Sequence, residues 1–475
     1  MTGLLFAALL LALLASLPHW LPQVVIALRT RLFTAINGEE GLAVPGELVA
    51  ASRFKEIYSH PAANGRSRGA RLSDLFWYWL SPGPELHQEH LEPGPRYDEV
   101  AKTTRRLLAL SKRDAEALAA RSIRRVLLER EKKGARSVRL RELMLPVWAD
   151  FYYELVFGEP CPHEARALIV ANADDVVTAL KCCSLRHMGR RHRLTRYLQE
   201  KLRTGALAEA LPACLSLEER ALYLQGVFFN TAVVQMSEAM THLVLVVAEH
   251  ELVQRRLTED DTDQDYLERL ITEVLRLYPL FGISHRITTD PIELDPQTTI
   301  PPGAVLCFNH AEFHRHGFDE PERLDPDRWR ELSPRETSYI PFGVPANRPC
   351  PAQAIALISL RAAVRELLTD FRVASSVRHT RSIPSGGPCL LIPRGATRSP
   401  RREALALVFL RFRDRWEDVV RSVAQLAFGT FMLWHARRLR LCERYFERAR
   451  GDSGHGSAGA GGRACPVGER AARGA

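Results

Sequence analysis

Apolar positions dominate the start of the chain. Leu4 to Leu28 are almost wholly apolar, broken by Pro18, His19, Pro22 and Gln23, and Arg29 and Arg31 follow without any preceding positive charge. A secretory signal carries its charges first and a small-residue cleavage site after. This order instead predicts one transmembrane span with a cytoplasmic body, a hairpin or interfacial helix being the alternative. Residues 38–92 are mixed, with turn signals at Pro45-Gly46 and Pro82-Gly83-Pro84, and the aromatic group Leu75 to Trp79 reads as core packing. Helical spacing begins near Tyr97 and runs through Arg105, Arg106, Leu107 and Leu108; a second helix is expected over about Val138 to Phe157. The charged run Arg121 to Arg136 between them reads as a solvated helix face.

The longest helical signal lies in the middle. Ser216 and Glu219 have capping-box spacing, and from there to His250 there is no proline and no cluster of turn residues. At 1.5 Å per residue such a helix would be roughly 50 Å long. Asn230, Gln235, Glu238 and His242 interrupt its apolar series, which favours a buried helix of a globular body over a second membrane span. After the acidic loop Glu259 to Asp265 comes a helix with Glu273 and Arg276. The pattern then turns to strands, expected over Ile287 to Leu294 and Ala304 to Phe308. Beyond Pro393, Leu405, Val408, Phe409, Phe412, Trp416 and Val419 return to helical spacing among many arginines. That extension reads either as a basic amphipathic helix on a membrane or as a helix packed on the body. Gly451 to Ala475 are rich in Gly, Ala and Arg and are expected to be disordered.

Composition changes this picture little. The 475 residues are 46% apolar, enough for a large core, and carry a formal charge of +9. The excess is mostly arginine in a few stretches, without zinc-finger spacing or an ordered basic–aromatic array, so nucleic acid is not an expected partner. Nine cysteines are scattered without a CxxC, which argues against a disulfide framework and for a reducing compartment.

One of them stands apart. Tyr339, Phe342, Gly343, Pro345, Asn347, Arg348, Pro349, Cys350 and Pro351 form a Pro- and Gly-rich loop, and an apolar helical series from Ile355 to Leu368 follows. A cysteine at a helix mouth sits where orphan N–H groups and the positive dipole end favour a thiolate. A thiolate beside a cation is a nucleophile or a metal ligand, and the loop alone leaves both open. Glu273 and Arg276, at i and i+3, share a helix face, an arrangement common on any surface helix.

The order of these features is more specific than any one of them. Glu-x-x-Arg at 273–276, Arg286 ten residues later, Pro326-Asp327-Arg328-Trp329 and the Cys350 loop together resemble the cytochrome P450 superfamily, over roughly Tyr97 to Pro393 and most strongly from Ile271 to Leu368. The resemblance implies a mainly α fold with a small β portion, and haem b (iron protoporphyrin IX) with Cys350 as its axial thiolate. It implies a buried network of Glu273, Arg276 and Arg328, and propionate contacts from Arg286 and Arg348, with Arg105 or Arg106 as a third. The domain division expected is a membrane anchor over 1–35, a catalytic domain over 36–397, a basic helical extension over 398–450 and a tail over 451–475.

The chain departs from the family pattern in three places. The loop has one residue more than usual between Phe342 and Cys350. Pro351 follows the cysteine and has no N–H to offer the sulfur, and Ala352 stands at the usual glycine. In the central helix the family's acid and threonine fall on Val234 and Gln235, or, one turn earlier, on Asn230 and Thr231. Asn230, Thr231 and Gln235 are therefore the candidate distal residues. Asn347 together with Phe228-Phe229-Asn230 also resembles the hydroperoxide-rearranging branch typified by allene oxide synthases. The expected activity is insertion of one oxygen atom of O2 into an apolar small molecule, with electrons from a separate reductase or ferredoxin. The alternatives are a reductase-independent hydroperoxide isomerase or peroxygenase, and a non-catalytic haem-binding membrane protein.

Overall fold

Ser216 caps the central helix as its sequence predicts: its side chain accepts from the Glu219 N–H while the Glu219 carboxylate accepts from the Ser216 N–H. The helix runs as Leu217–Leu224, a wider π-type turn over Gln225–Ala232, and Val233–Glu249. The computed structural model describes residues 2–37, 41–129, 134–205, 207–259, 263–397 and 399–454. Almost every side chain from Val233 to Ala248 is buried, so the apolar series is explained by core and not by lipid. Helices Lys112–Leu128, Leu140–Phe157 and Gln353–Asp370 pack with it as a bundle, around Phe151, Met240, Val244 and Leu360.

The β portion is small. β1 (Leu42–Val44) pairs parallel with β6 (Val305–Asn309), whose other edge pairs antiparallel with β3 (Ile283–Ile287). β2 (Arg136–Arg139), β8 (Pro388–Pro393) and β7 (Phe371–Ala374) make a second antiparallel sheet, and β4 (Ile292–Asp295) pairs with β5 (Thr298–Ile300). The strand expected over Ile287 to Leu294 is thus two strands, β3 and β4. Pro291 lacks the N–H a continuous ladder needs, and the backbone turns at Thr288–Asp290.

The N-terminal helix spans Thr2–Asn37 with Pro18 and Pro22 inside it, and is long and apolar enough to cross a membrane. It packs along a 40-residue helix, Pro400–Leu439. That C-terminal helix also docks on the body through Arg71–Leu80, where Tyr78 Oη meets His435 Nδ1 at 3.0 Å and Leu75 packs in one cluster with Met432 and Leu433. The last helix, Leu441–Gly454, is fastened by Asp74, which accepts from the Cys442 N–H at 2.8 Å. The aromatic group at 75–79 is therefore core, as expected, and its partner is the extension. Of the expected disordered tail, the part from residue 455 on lies outside the described residues.

Candidate functional site

The cysteine loop is folded back on itself. Gly343 and Arg348 both take left-handed backbone conformations, φ 75° and 51°, and the Cys350 N–H donates to the Phe342 carbonyl at 2.8 Å. Gly343 bears that geometry freely, whereas Arg348 is strained there and must be held by its surroundings. The helix begins at Gln353, so Cys350 lies three residues before its first turn and not at its mouth. Burial pushes the Cys350 thiol above its ordinary range, and the Ala352 N–H draws it partly back. The loop by itself does not make a thiolate; a coordinated metal deprotonates a thiol outright.

Behind the loop lies Glu273, fully buried on helix Tyr266–Leu277. Arg276 grips both of its oxygens at 2.8 and 2.9 Å, Arg328 Nε donates to it at 3.2 Å, and the Trp329 indole at 2.9 Å. The Asp325 N–H adds a further donor at 3.1 Å. Arg276 also donates to the carbonyls of His314 and Pro321, which ties segment 314–329 to the helix. A surface pair of the same spacing is worth a few tenths of a kcal/mol. Here no water competes, and each partner is needed to offset the desolvation of the others.

A second charged group sits beside the loop. Arg286 at the end of β3 pairs with Glu89 at 2.7 Å and donates to Tyr58 Oη at 2.9 Å. Arg348 donates to the Leu91 carbonyl at 2.5 Å and lies 3.7 Å from the centre of the Tyr97 ring. The third arginine is Arg66, buried, on Asn347 Oδ1 at 2.6 Å. Burial and then the neighbouring Arg286 charge pull Arg66 down to about 9. Burial would raise Glu89, yet Arg286 and Arg66 hold it well below the usual carboxylate range. Among the described residues Glu89 pairs with both Arg66 and Arg286, while Glu92, which accepts from the Arg66 backbone N–H, also acts on Arg348, so cations outnumber carboxylates in the group. Arg66 Nε, Arg286 Nε and Arg348 Nε and Nη2 are buried without acceptors.

Arg105 and Arg106 do not join this group. Both are exposed on helix Pro95–Leu107, and Arg106 donates to the Ala210 carbonyl. Sequence reasoning missed Arg66 because it stands among Gly65, Ser67 and Arg68 with no helical or strand pattern. It is brought in by the Gly65–Ile287 bridge to β3 and by Asn347.

On the central helix, the stretch Tyr223–Ala248 is buried except for Val227, Thr231, Ala232 and Gln235, which are half-buried. Val227, Thr231 and Gln235 recur every fourth residue and form one open face. Asn230 points elsewhere, hydrogen-bonded to Asn172 on helix His163–Leu180. Asn347 is a clasp, donating to the Tyr58 and Ala63 carbonyls at 2.8 and 2.9 Å. Of the two asparagines that suggested the hydroperoxide-rearranging branch, Asn347 is spent on internal hydrogen bonds, whereas Asn230 uses its Oδ1 on Asn172 and leaves its amide nitrogen buried without a partner. Glu238 faces Arg141 and Lys181, both of which donate to it.

The cytochrome P450 family model matches residues 227–397. A cyclooctat-9-en-7-ol 5-monooxygenase of Streptomyces melanosporofaciens is 30% identical over 120 residues, which are 24% of this chain and 26% of that protein. Cytochrome P450 3A9 of Rattus norvegicus is 26% identical over 177 residues, 33% of this chain and 35% of that one. The matches span about a quarter to a third of these relatives. Among solved structures, cytochrome P450SP alpha in complex with (R)-ibuprophen superposes with a TM-score of 0.57 at 17% identity, over 71% of this chain and 88% of that one. A six-coordinated cytochrome P450 from Thermus thermophilus gives 0.55 at 21% identity, over 72% and 90%.

Residues 227–397 thus carry the cytochrome P450 family pattern, in a chain with the P450 fold.

That family implies a haem with cysteine thiolate ligation, and the residues present fit that group. Unsatisfied guanidinium N–H groups on three clustered arginines suit the two propionates of haem, since planar guanidinium forks match carboxylates. Members of the family are oxidoreductases, and the body here is mainly helical with the small sheets expected of the fold.

Proposed function

We propose that this protein is a haem-thiolate monooxygenase acting on an apolar small molecule. The observation that carries the reading is the convergence of Arg66, Arg286 and Arg348, with unmet donors, on the loop that presents Cys350. In this reading Cys350 would supply the thiolate that holds the haem iron, and the three arginines would hold the propionates. Glu273, Arg276 and Arg328 lock the region behind the loop, so that the sulfur is held and not merely tethered. When bound, the haem supplies O–O cleavage chemistry, which a thiolate ligand promotes. The chain's own work is to position the group, keep water out with the buried central helix, and present Val227, Thr231 and Gln235 toward the substrate side.

Electrons come from a separate reductase or ferredoxin. The anchor, 1–35, lies on the helix Thr2–Asn37, with the catalytic body, 36–397, on the cytoplasmic face of a membrane. The extension over 398–450 lies along the anchor and exposes Leu405, Phe409, Phe412, Val420 and Val423, an apolar stripe suited to a lipid interface.

A second reading, a hydroperoxide-using isomerase or peroxygenase, is favoured by one feature of the open face. Among the described residues neither Thr231 nor Gln235 hydrogen-bonds a carboxylate, and the next acid along the helix, Glu238, is bound by Arg141 and Lys181. A peroxide brings its own oxygen and protons and makes smaller demands on proton delivery.

The reduced, CO-bound protein is expected to show the strongly red-shifted Soret band of a thiolate-ligated haem; its absence overturns the haem reading. Product formed only with O2 and an electron donor supports the monooxygenase, whereas turnover of a fatty-acid hydroperoxide without any reductase replaces it with the second reading. Removal of residues 1–37 is expected to release the protein from sedimented membranes only when the 398–450 extension is also removed.

A further inference from the structure

The loop that brings Glu89 to the arginines also brings a histidine to the open face of the central helix. His87 is buried, and its Nε2 is hydrogen-bonded to Thr231 Oγ1. The other ring nitrogen, Nδ1, accepts from the Glu89 backbone N–H at 3.2 Å. A backbone N–H can only donate, so Nδ1 carries no proton. Burial lowers His87 to about 4, which leaves the ring neutral near pH 7, with a single N–H. In a neutral imidazole one nitrogen donates and the other accepts. The donor is therefore Nε2, and Thr231 Oγ1 is the acceptor.

This fixes the direction of the hydroxyl. A threonine in a helix ordinarily returns its O–H to the carbonyl one turn earlier. Further along the same helix Ser237 does so to Val233 at 2.7 Å, and Thr241 to Ser237 at 2.6 Å. Thr231 makes no such bond among the described residues. It lies in the wider turn Gln225–Ala232, where the backbone ladder departs from α geometry, and such turns recur at functional sites. Its oxygen accepts from His87 and its hydrogen is left for a partner on the half-buried face with Val227 and Gln235.

We infer that His87 is a positioning residue for Thr231: the ring donates to the hydroxyl oxygen and leaves the hydroxyl hydrogen for an oxygen-bearing ligand on the face of Val227, Thr231 and Gln235, where the haem would present one. A neutral imidazole from a separate segment stands where an acid on the helix itself is expected. The pair donates a hydrogen bond without carrying a negative charge onto that face. The inference rests on the haem reading above and deepens it.

The test uses the full-length, haem-loaded protein and compares His87→Leu, His87→Gln, Thr231→Val and the double variant His87→Leu/Thr231→Val. The readout is the infrared stretch of CO bound to the reduced protein, which a donated hydrogen bond lowers. His87→Leu and Thr231→Val are each expected to raise the stretch, by similar amounts, and the double variant by no more than either, since the two act in series. His87→Gln keeps a donor near Nε2 and is expected to stay close to wild type, which a merely structural role for the ring would not predict. Turnover is expected to fall about tenfold in both single variants, the factor that corresponds to one lost hydrogen bond. A stretch unmoved by His87→Leu, or a double-variant shift equal to the sum of the singles, overturns the inference. Wild-type protein without a thiolate CO spectrum overturns the haem reading and this inference with it. A normal thiolate spectrum with an unmoved stretch overturns this inference alone.

Discussion

On the cysteine side of the site, Glu273 accepts from Arg276, Arg328, Trp329 and the Asp325 N–H, and Arg276 spends its remaining donors on nearby carbonyls. On the opposite side Thr231 meets one partner, the neutral ring of His87, and the face around it is half open. The first region carries charge deep in the core and satisfies it several times over. The second carries almost no charge and leaves a hydroxyl hydrogen to be used. In the function proposed above the contrast follows from the tasks: a metal ligand must not move, so the network around it would be redundant, and a substrate-facing surface must admit a guest, so its polar groups would not all be spent internally.

The comparison is broken most completely by Cys350→Ser, which is expected to abolish the red-shifted CO spectrum while helix content by circular dichroism stays unchanged. Next is Glu273→Gln. It leaves Arg276, fully buried, without its counter-charge and is expected to cost about 3–5 kcal/mol in urea unfolding. A variant as stable as wild type would mean that the cysteine side is no more tightly held than the helix side. Acid distinguishes the sides in a different way. Burial lowers His87, His285 and His310 each to about 4, below the ordinary histidine range. Their unfolded forms bind protons from about pH 6.5 downward and their folded forms only near 4. Stability is therefore full above about 6.5 and falls as the pH drops toward 4, with proton uptake on unfolding at pH 5. A urea midpoint identical at pH 5 and pH 7 would contradict this. Thr231→Val is expected to lower stability by only about 1 kcal/mol, the worth of one hydrogen bond, with the thiolate spectrum intact. The smallest effect belongs to Pro351→Ala. It restores an N–H just after the cysteine, beside the one Ala352 already gives, and is expected to raise the haem potential in a redox titration.

The bundle and the cysteine side were legible in the chain because their signals are local. The Ser216 cap, the proline-free apolar run to His250, the Glu273–Arg276 spacing and the Pro326–Trp329 segment each lie within a few residues. The shift from helical to strand patterning after Tyr278 was also visible, although Pro291 divided the strand expected there. Arg66, His87 and Glu89 gave no such signal. They lie on irregular segments whose residue types alone imply nothing, and Arg105 and Arg106, on a clean helix, drew attention that the structure does not support.

The sequence by itself determined the helical body and the apolar N-terminal helix, and its resemblance to the P450 superfamily picked out the ordered set Glu273, Arg276, Arg286, Arg328 and Cys350. Periodicity and capping act over a few residues, and the chain states them directly. Only the tertiary structure decided that Arg66 completes the cationic group, that Asn347 and Asn230 bond to other segments of the chain, and that His87 reaches Thr231 across 144 positions of chain. Those contacts depend on where loops end up once the bundle and sheets have closed, and a loop's path is set by what it packs against rather than by its own pattern.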